Sequence, residues 1–359
     1  MQLRSPAPLR PGDVVGVTSP SSGVDDRLRP RLEVAVDAVR RRGFEVEVGD
    51  CMEGSSHVSA PAEERAAELE RMLLDPRIRA VVPPWGGETA IDLVGRLGWD
   101  RLAQAEPTWM VGFSDLATLI TPLTLLTGWA SIHGSNLMDT PYRVPDGLVG
   151  WLDIVSLEPG TTLTQTSPRA WRKGLVDYVA HPGVDRYELD QAGSWRRLDG
   201  GPDSLGGTAA AARGGGVVGP SDSVEVSGRL IGGCLETLAP LSGTPYLDTG
   251  RLAALGDPLI VYVEVAEADA FQACRLLHGM RLAGFFEHAA AVLVGRTAAP
   301  DSPTLTQDEA VLDALGELGV PILADVECGH VAPHLPLVNG ALATVRHTPE
   351  VSSVTQTLA

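Results

Sequence analysis

Lysine is all but missing from this 359-residue chain. Of its 28 basic residues, Lys173 is the one lysine and the remaining 27 are arginine. Beside 40 glycines and abundant alanine, that skew points to a GC-rich genome rather than to a function. Basic charge is scarce altogether: 28 Lys and Arg against 46 Asp and Glu give a net charge of −18. So acidic a chain excludes nucleic acid and anionic membrane surfaces as partners. Cysteine is limited to Cys51, Cys234, Cys274 and Cys328, which are scattered and form no C-x-x-C pair. Neither a zinc knuckle nor a disulfide framework is indicated, and cytoplasmic residence is the expectation. No apolar run approaches the length of a membrane span, and MQLRSPAPLRPGDVVGV lacks the uninterrupted apolar core of a secretory signal. What is present, 44% apolar and 21% charged residues, is the composition of a globular protein, long enough for two domains.

The chain is organised around Trp109 to Gly128. Trp109-Met110-Val111 reads as a buried strand, Gly112-Phe113-Ser114-Asp115 as a turn, and the rest as an apolar helix. Before it, strands are expected at 12–18, 44–48 and 78–82, and helices at 29–42, 62–74 and 91–97. After it, 258–265 is the most strand-like run, followed by a helix at 268–282, a strand at 290–294, a helix at 308–318 and strands at 321–326 and 341–345. A further strand and helix are expected within 228–241, joined through Gly232-Gly233. Alternating strands and helices argue for α/β architecture, a parallel sheet covered on both faces. Ligands then gather at the carboxyl ends of the strands, where TSPSSG, PPWGGE and GFSD fall. No G-x-G-x-x-G follows the first strand, so a dinucleotide cofactor is not expected. Between Tyr142 and Val224 the texture turns polar, and RGGGVVGPSDS from Arg213 reads as solvated linker. Trp151, Trp171 and Trp195 stand in this region, either as a lid facing substrate or as anchors of an insertion.

Three residues carry the candidate chemistry. Ser114 sits at a strand-to-helix turn, which lifts a hydroxyl clear of its neighbours and offers it the N–H groups of a helix start. GFSDL lacks the second glycine of a nucleophile elbow, and the same residues would make an ordinary N-cap. Glu264 interrupts the apolar IVYVEV, where an ionised carboxylate needs a partner, whether a catalytic one or an arginine. His330 follows Gly329 just beyond a strand end, placed to act as a general base or simply to bond backbone. A metal set of Glu327, Cys328, His330 and His334 is disfavoured by Pro333, and no metal is expected. Ser114, His330 and Glu264 together supply nucleophile, base and orienting acid, provided that they converge.

The pieces GDVVGVTSPS, the GG of PWGGE, GFSDLATL, SIHGSN, RLIGGCLETLAPLSGTPY, LIVYVEVAEAD and GHVAPHLPLVNGALATV occur in that order and cover most of the chain outside the middle insertion. As a set they resemble the LD-carboxypeptidase family of serine peptidases. The resemblance implies an N-terminal Rossmann-like domain at 1–165, an insertion at 166–223 and a smaller C-terminal α/β domain at 224–359. It implies a Ser114-Glu264-His330 triad without a cofactor, with the backbone N–H groups of Gly87 and Asp115 as oxyanion donors, and a homodimer. Three positions depart from the family pattern: Cys234 stands in place of Asn, Val265 in place of Asp, and Pro122 lies within a helix.

Two branches of the family compete. The insertion, with Trp171 and Trp195 as candidate substrate contacts, and Gly86-Gly87-Glu88 favour the microcin-immunity-like branch, whose substrate is a peptidyl or aminoacyl nucleotide conjugate. The alternative is a murein tetrapeptide LD-carboxypeptidase of cell-wall recycling. Outside enzymology, a non-catalytic protein holding a peptide or nucleotide in its cleft remains the other reading.

Overall fold

The computed structural model of the chain describes residues 2–200 and 223–359. Its strands, in chain order, are β1 (Val14–Val17), β2 (Glu45–Val48), β3 (Ile78–Val81), β4 (Trp109–Gly112), β5 (Ser131–His133), β6 (Thr162–Thr166), β7 (Ala170–Trp171) and β8 (Gln191–Ala192). They continue with β9 (Arg196–Arg197), β10 (Val224–Cys234), β11 (Leu259–Glu264), β12 (Ala289–Gly295), β13 (Ile322–Val326), β14 (Leu337–Asn339), β15 (Leu342–His347) and β16 (Ser352–Thr357). A six-stranded sheet has the order β14-β5-β4-β3-β1-β2, parallel throughout except for β14. An eight-stranded sheet has the order β6-β16-β15-β10-β11-β12-β13-β9, with β10 to β13 parallel. The α/β class expected from the alternating pattern is therefore present, as two sheets that exchange strands. The late β14 edges the first sheet, and the early β6 pairs with β16 in the second.

The helix Ala117–Thr127 is buried along nearly its whole length, so its apolar residues run all round rather than along one stripe. Ala117, Ile120 and Leu123 share one core with Ile231, Leu235, Val261 and Val263 of the second sheet and its helices. That shared core presses the strand ends of the two sheets together. The helix continues through Pro122, whose missing N–H leaves the Thr118 carbonyl without its helical donor.

Several local expectations are corrected. β10 runs 11 residues straight through Gly232-Gly233 instead of turning there, and glycine at 232 serves close strand packing, since a Cβ there would sit 1.8 Å from the Tyr262 carbonyl of the neighbouring strand. The helix expected over 91–97 is only Ile91–Val94. A further strand, β16, follows the expected closing strand, and its polar sequence is held by side-chain rungs such as Thr162–Thr357 and Thr164–Thr355, each 2.9 Å. Trp151 and Trp195 are buried anchors. The stretch read as solvated linker from Arg213 lies outside the described residues up to position 222. Among the described residues, no helix is long and apolar enough to cross a membrane.

Candidate functional site

β4 delivers Ser114. The strand ends at Gly112, Phe113 is extended, and Ser114 turns into the left-handed region at φ 65° before a short 3₁₀ turn leads into Ala117–Thr127. A serine held there costs about 1–2 kcal/mol of backbone strain. The turn is braced: the Phe113 N–H donates to Asn136 Oδ1 at 3.1 Å, and the Asp115 carboxylate accepts from Ser21 Oγ at 2.5 Å and Ala90 N–H at 2.8 Å. Ser21 also accepts from the Thr89 N–H, so the loop after β1 ties the Gly86-Gly87 loop to the Ser114 turn. Gly86 lies so close that a Cβ would meet Asp115 N at 3.0 Å and Ser114 Oγ at 3.1 Å. Gly87, at φ 145°, would bring a Cβ within 2.4 Å of the Ser21 and Ser22 hydroxyls. A side chain has no room at Gly87, one at Gly86 would press on the serine turn, and the chain passes directly against Ser114.

The second sheet delivers the other two residues from the carboxyl ends of parallel strands. Glu264 is the last residue of β11, paired with Cys234 at the end of β10, and it is 0% exposed. His330 stands in the loop after β13. Its Nε2 lies 3.0 Å from Ser114 Oγ and its Nδ1 lies 2.8 Å from Glu264 Oε2. The geometry therefore brings the three sequence candidates into one hydrogen-bonded chain across the two sheets. Gly329, at φ 103°, permits this, since a Cβ there would lie 2.4 Å from Glu264 Oε2. Gly295 does the same from β12, where a Cβ would lie 2.5 Å from that of Glu264.

Electrostatics fix the protonation states. Burial alone would lower the pKa of His330, but the charge and hydrogen bond of Glu264 outweigh it and hold the imidazole above its ordinary value. Burial would likewise raise Glu264, and the His330 ring outweighs that, holding the carboxyl below its ordinary range and ionised. Cys234 is pushed well above the ordinary thiol range by burial and then by Glu264 and Glu236. Its sulfur, a Glu264 oxygen and a His330 nitrogen lie within 4.8 Å of one another. Each of the three is already engaged, Glu264 and His330 with one another at 2.8 Å and the thiol with Glu236 Oε2 at 3.3 Å. The other metal set does not assemble: the Glu327 carboxylate is taken by Ser167 Oγ at 2.5 Å and Trp195 Nε1 at 2.7 Å.

Of the two tryptophan candidates, Trp195 is corrected. At 2% exposure, bonded to Glu327, it offers no face to a ligand. Trp171 is half-buried, with the Arg296 guanidinium 5.2 Å from its ring, and Arg172 N–H bonds the Ala332 carbonyl of the His330 loop at 2.9 Å. Phe113 and His334 line the approach, with ring centroids 5.1 Å (Phe113–His330) and 4.9 Å (Phe113–His334) apart. A recess of about 90 Å³ beyond them is bordered by His334, Asp139 and the stacked Tyr142 and Tyr187. No sequence pattern singles out Ser21, Phe113 or His133 individually, although they lie within TSPSSG, GFSD and SIHGSN. Glu236 stands in the LETL that follows the glycine pair, and its Oε1 accepts from the N–H groups of Ala266, Glu267 and Ala268, pinning the loop after Glu264.

Comparison with known proteins agrees with this architecture. Residues 15–134 match the family model described as the LD-carboxypeptidase N-terminal domain, and residues 227–345 match the LD-carboxypeptidase C-terminal domain. The Microcin C7 self-immunity protein MccF of Escherichia coli is 23% identical over 98% of this chain and 95% of its own. A Bacillus subtilis protein named "Probable murein peptide carboxypeptidase" is 23% identical over 97% of this chain and 93% of its own. The wild-type apo structure of MccF superposes with a TM-score of 0.78 at 20% identity, covering 99% of this chain and 98% of that one. MccF in complex with aspartyl sulfamoyl adenosine superposes with a TM-score of 0.75 at 20% identity, covering the same shares. With both of its domain models matched in order across the two sheets, the chain belongs to the LD-carboxypeptidase family.

Proposed function

We propose that this protein is a serine-type hydrolase that cleaves a peptidyl or aminoacyl nucleotide conjugate through an acyl-enzyme. The observation that carries the reading is the unbroken chain from Ser114 Oγ to His330 Nε2 at 3.0 Å and from His330 Nδ1 to Glu264 Oε2 at 2.8 Å. In the first half-reaction His330 Nε2 takes the Ser114 proton as Oγ bonds to the substrate carbonyl carbon. The oxyanion is received by the N–H groups of Gly87 and Asp115, and the leaving nitrogen departs with the proton carried by His330. Water then repeats the sequence on the acyl ester. Its proton passes to His330 and on to Ser114 Oγ, releasing the acid. Glu264 stays ionised and stabilises the imidazolium. No step calls for a metal.

The choice of substrate rests on the fold shared with MccF, whose complex holds an aminoacyl sulfamoyl nucleoside, and on the half-buried indole of Trp171 beside the His330 loop. A base stacked on such an indole gains about 1–3 kcal/mol. Murein tetrapeptide is the second reading, favoured by the burial of Trp195, which removes one of the two indoles expected to contact a base. Kinetics on both substrates tests the proposal. The conjugate should show the higher kcat/KM, and Ser114→Ala should lower it by about 10⁴-fold while abolishing fluorophosphonate labelling. A Ser114→Ala protein with a tenth of normal turnover would sink the serine mechanism. Efficient trimming of the tetrapeptide alone would transfer the protein to cell-wall recycling.

A further inference from the structure

His133 ends β5, is fully buried, and has no role in the chain of three just described. Its Nε2 faces Glu264 Oε1 across 3.9 Å. Among the described residues neither atom has a hydrogen-bond partner, so two buried polar atoms are left pointing at one another. A buried polar atom without a partner has given up its bonds to water for nothing, which makes a pair of them in one spot a feature needing a reason. Glu264 spends its other oxygen, Oε2, on His330.

We infer that His133 is a positioning residue, a neutral imidazole whose Nε2–H takes up the free oxygen of Glu264 and so fixes which oxygen serves His330. The gap of 3.9 Å exceeds a hydrogen bond, and a shift of less than about 1 Å closes it, of the kind by which loose contacts tighten once substrate is bound. The surroundings keep this imidazole uncharged. Burial first, then the neighbouring His330 and His334 rings, pull its pKa down to about 4 against the opposing pull of Glu264. Of the other groups around the pair, Tyr262, whose ring centroid lies 5.3 Å from that of His133, and the thiols of Cys234 and Cys328 are raised well above their ordinary values by burial and are neutral at physiological pH, while the acids Glu236, which accepts from the Cys234 thiol at 3.3 Å, and Glu267 raise His330 alongside Glu264. A neutral donor on Oε1 draws part of the carboxylate charge away from Oε2. It therefore limits how tightly Glu264 holds a proton on His330, keeping the base available near neutral pH.

The inference rests on the proposed hydrolase reading only for its catalytic consequence. Its primary test is a titration that needs no turnover. Histidine ring resonances are followed by NMR in the intact wild-type protein, in His133→Phe, which keeps the volume but removes the donor, and in His133→Gln, which restores an N–H. His133→Phe should raise the His330 midpoint by about 0.5 to 1 pH unit, and His133→Gln should return it most of the way. In activity, His133→Phe should lower kcat by about 10-fold with little change in KM. An unchanged His330 midpoint in a folded His133→Phe protein overturns the inference. A midpoint that falls also overturns it, because it would mean that Glu264 had merely come loose. Should Ser114→Ala stay active, the hydrolase reading fails, and the titration still decides the role of His133.

Discussion

In the proposed mechanism His330 can serve Ser114 only while its imidazole is neutral, and the same Glu264 that bonds the ring works against that state. Because Glu264 holds His330 above the ordinary histidine value, the base is lost as pH falls through a midpoint higher than about 6.5. A pH profile of kcat/KM should therefore show an acid limb centred above that value, and removal of the ring in His330→Ala should abolish both the limb and the activity. Stability moves in the opposite sense. The raised pKa means that the folded state binds the proton more tightly than the unfolded chain. The contribution of the His330–Glu264 pair is therefore full below about pH 6.5 and fades as pH rises through the folded midpoint. Thermal melts across that window should show wild type losing a stabilising increment that His330→Ala never has. An acid limb centred below the ordinary histidine value would contradict the pairing with Glu264.

The elements that carry these side chains depend on glycine at places where a methyl group has no room. The loop after β13 is the sharpest case, since Gly329 is at φ 103° and a Cβ would lie 2.4 Å from Glu264 Oε2. Gly329→Ala should cost about 1–3 kcal/mol in denaturant unfolding through strain and crowding. Its loss of kcat/KM should exceed what the unfolded fraction explains, because Glu264 and His330 must part to admit the methyl. Full activity per folded molecule would show that the loop has slack. Sequence and structure meet at this scale. The Trp109 strand, its serine turn and the IVYVEV strand were legible because a charged or hydroxyl residue interrupts an apolar run at a strand end. The three-residue strands β5 and β14 were not, being too short to show a period. His133 hides inside the first of them. β16 was missed because SSVTQT looks like a tail, and only the threonine rungs to β6 reveal what its polar face meets. Trp195 misled for the converse reason: an indole among polar neighbours in sequence is enclosed in space, by a carboxylate 132 positions away.

At the scale of the whole molecule, Ser114 belongs to one sheet and His330 and Glu264 to the other, so the proposed mechanism needs the two held in register. Three features hold them. The helix Ala117–Thr127 that follows Ser114 packs into the core shared with β10 and β11, β14 completes the first sheet from the far end of the chain, and β6 completes the second from the near end. Sheets joined only by a linker would melt separately, whereas sheets that lend each other edge strands expose each other's unpaired backbone on opening. Thermal unfolding followed by far-UV circular dichroism, by tryptophan fluorescence and by loss of hydrolysis should therefore give coincident transitions. Tryptophan is a suitable reporter because Trp109 is buried in the core of the first sheet, Trp129 in the core shared by the two and Trp195 in the core of the second. A fragment ending at residue 160 would keep β1 to β5 yet lack β14, and it would bare Ala117, Ile120 and Leu123, so it should fail to give a cooperative melt. Two resolved transitions in the intact chain, or a fragment that folds cooperatively, would show that the sheets are independent and that the distance between Ser114 and His330 is set by something other than their shared core.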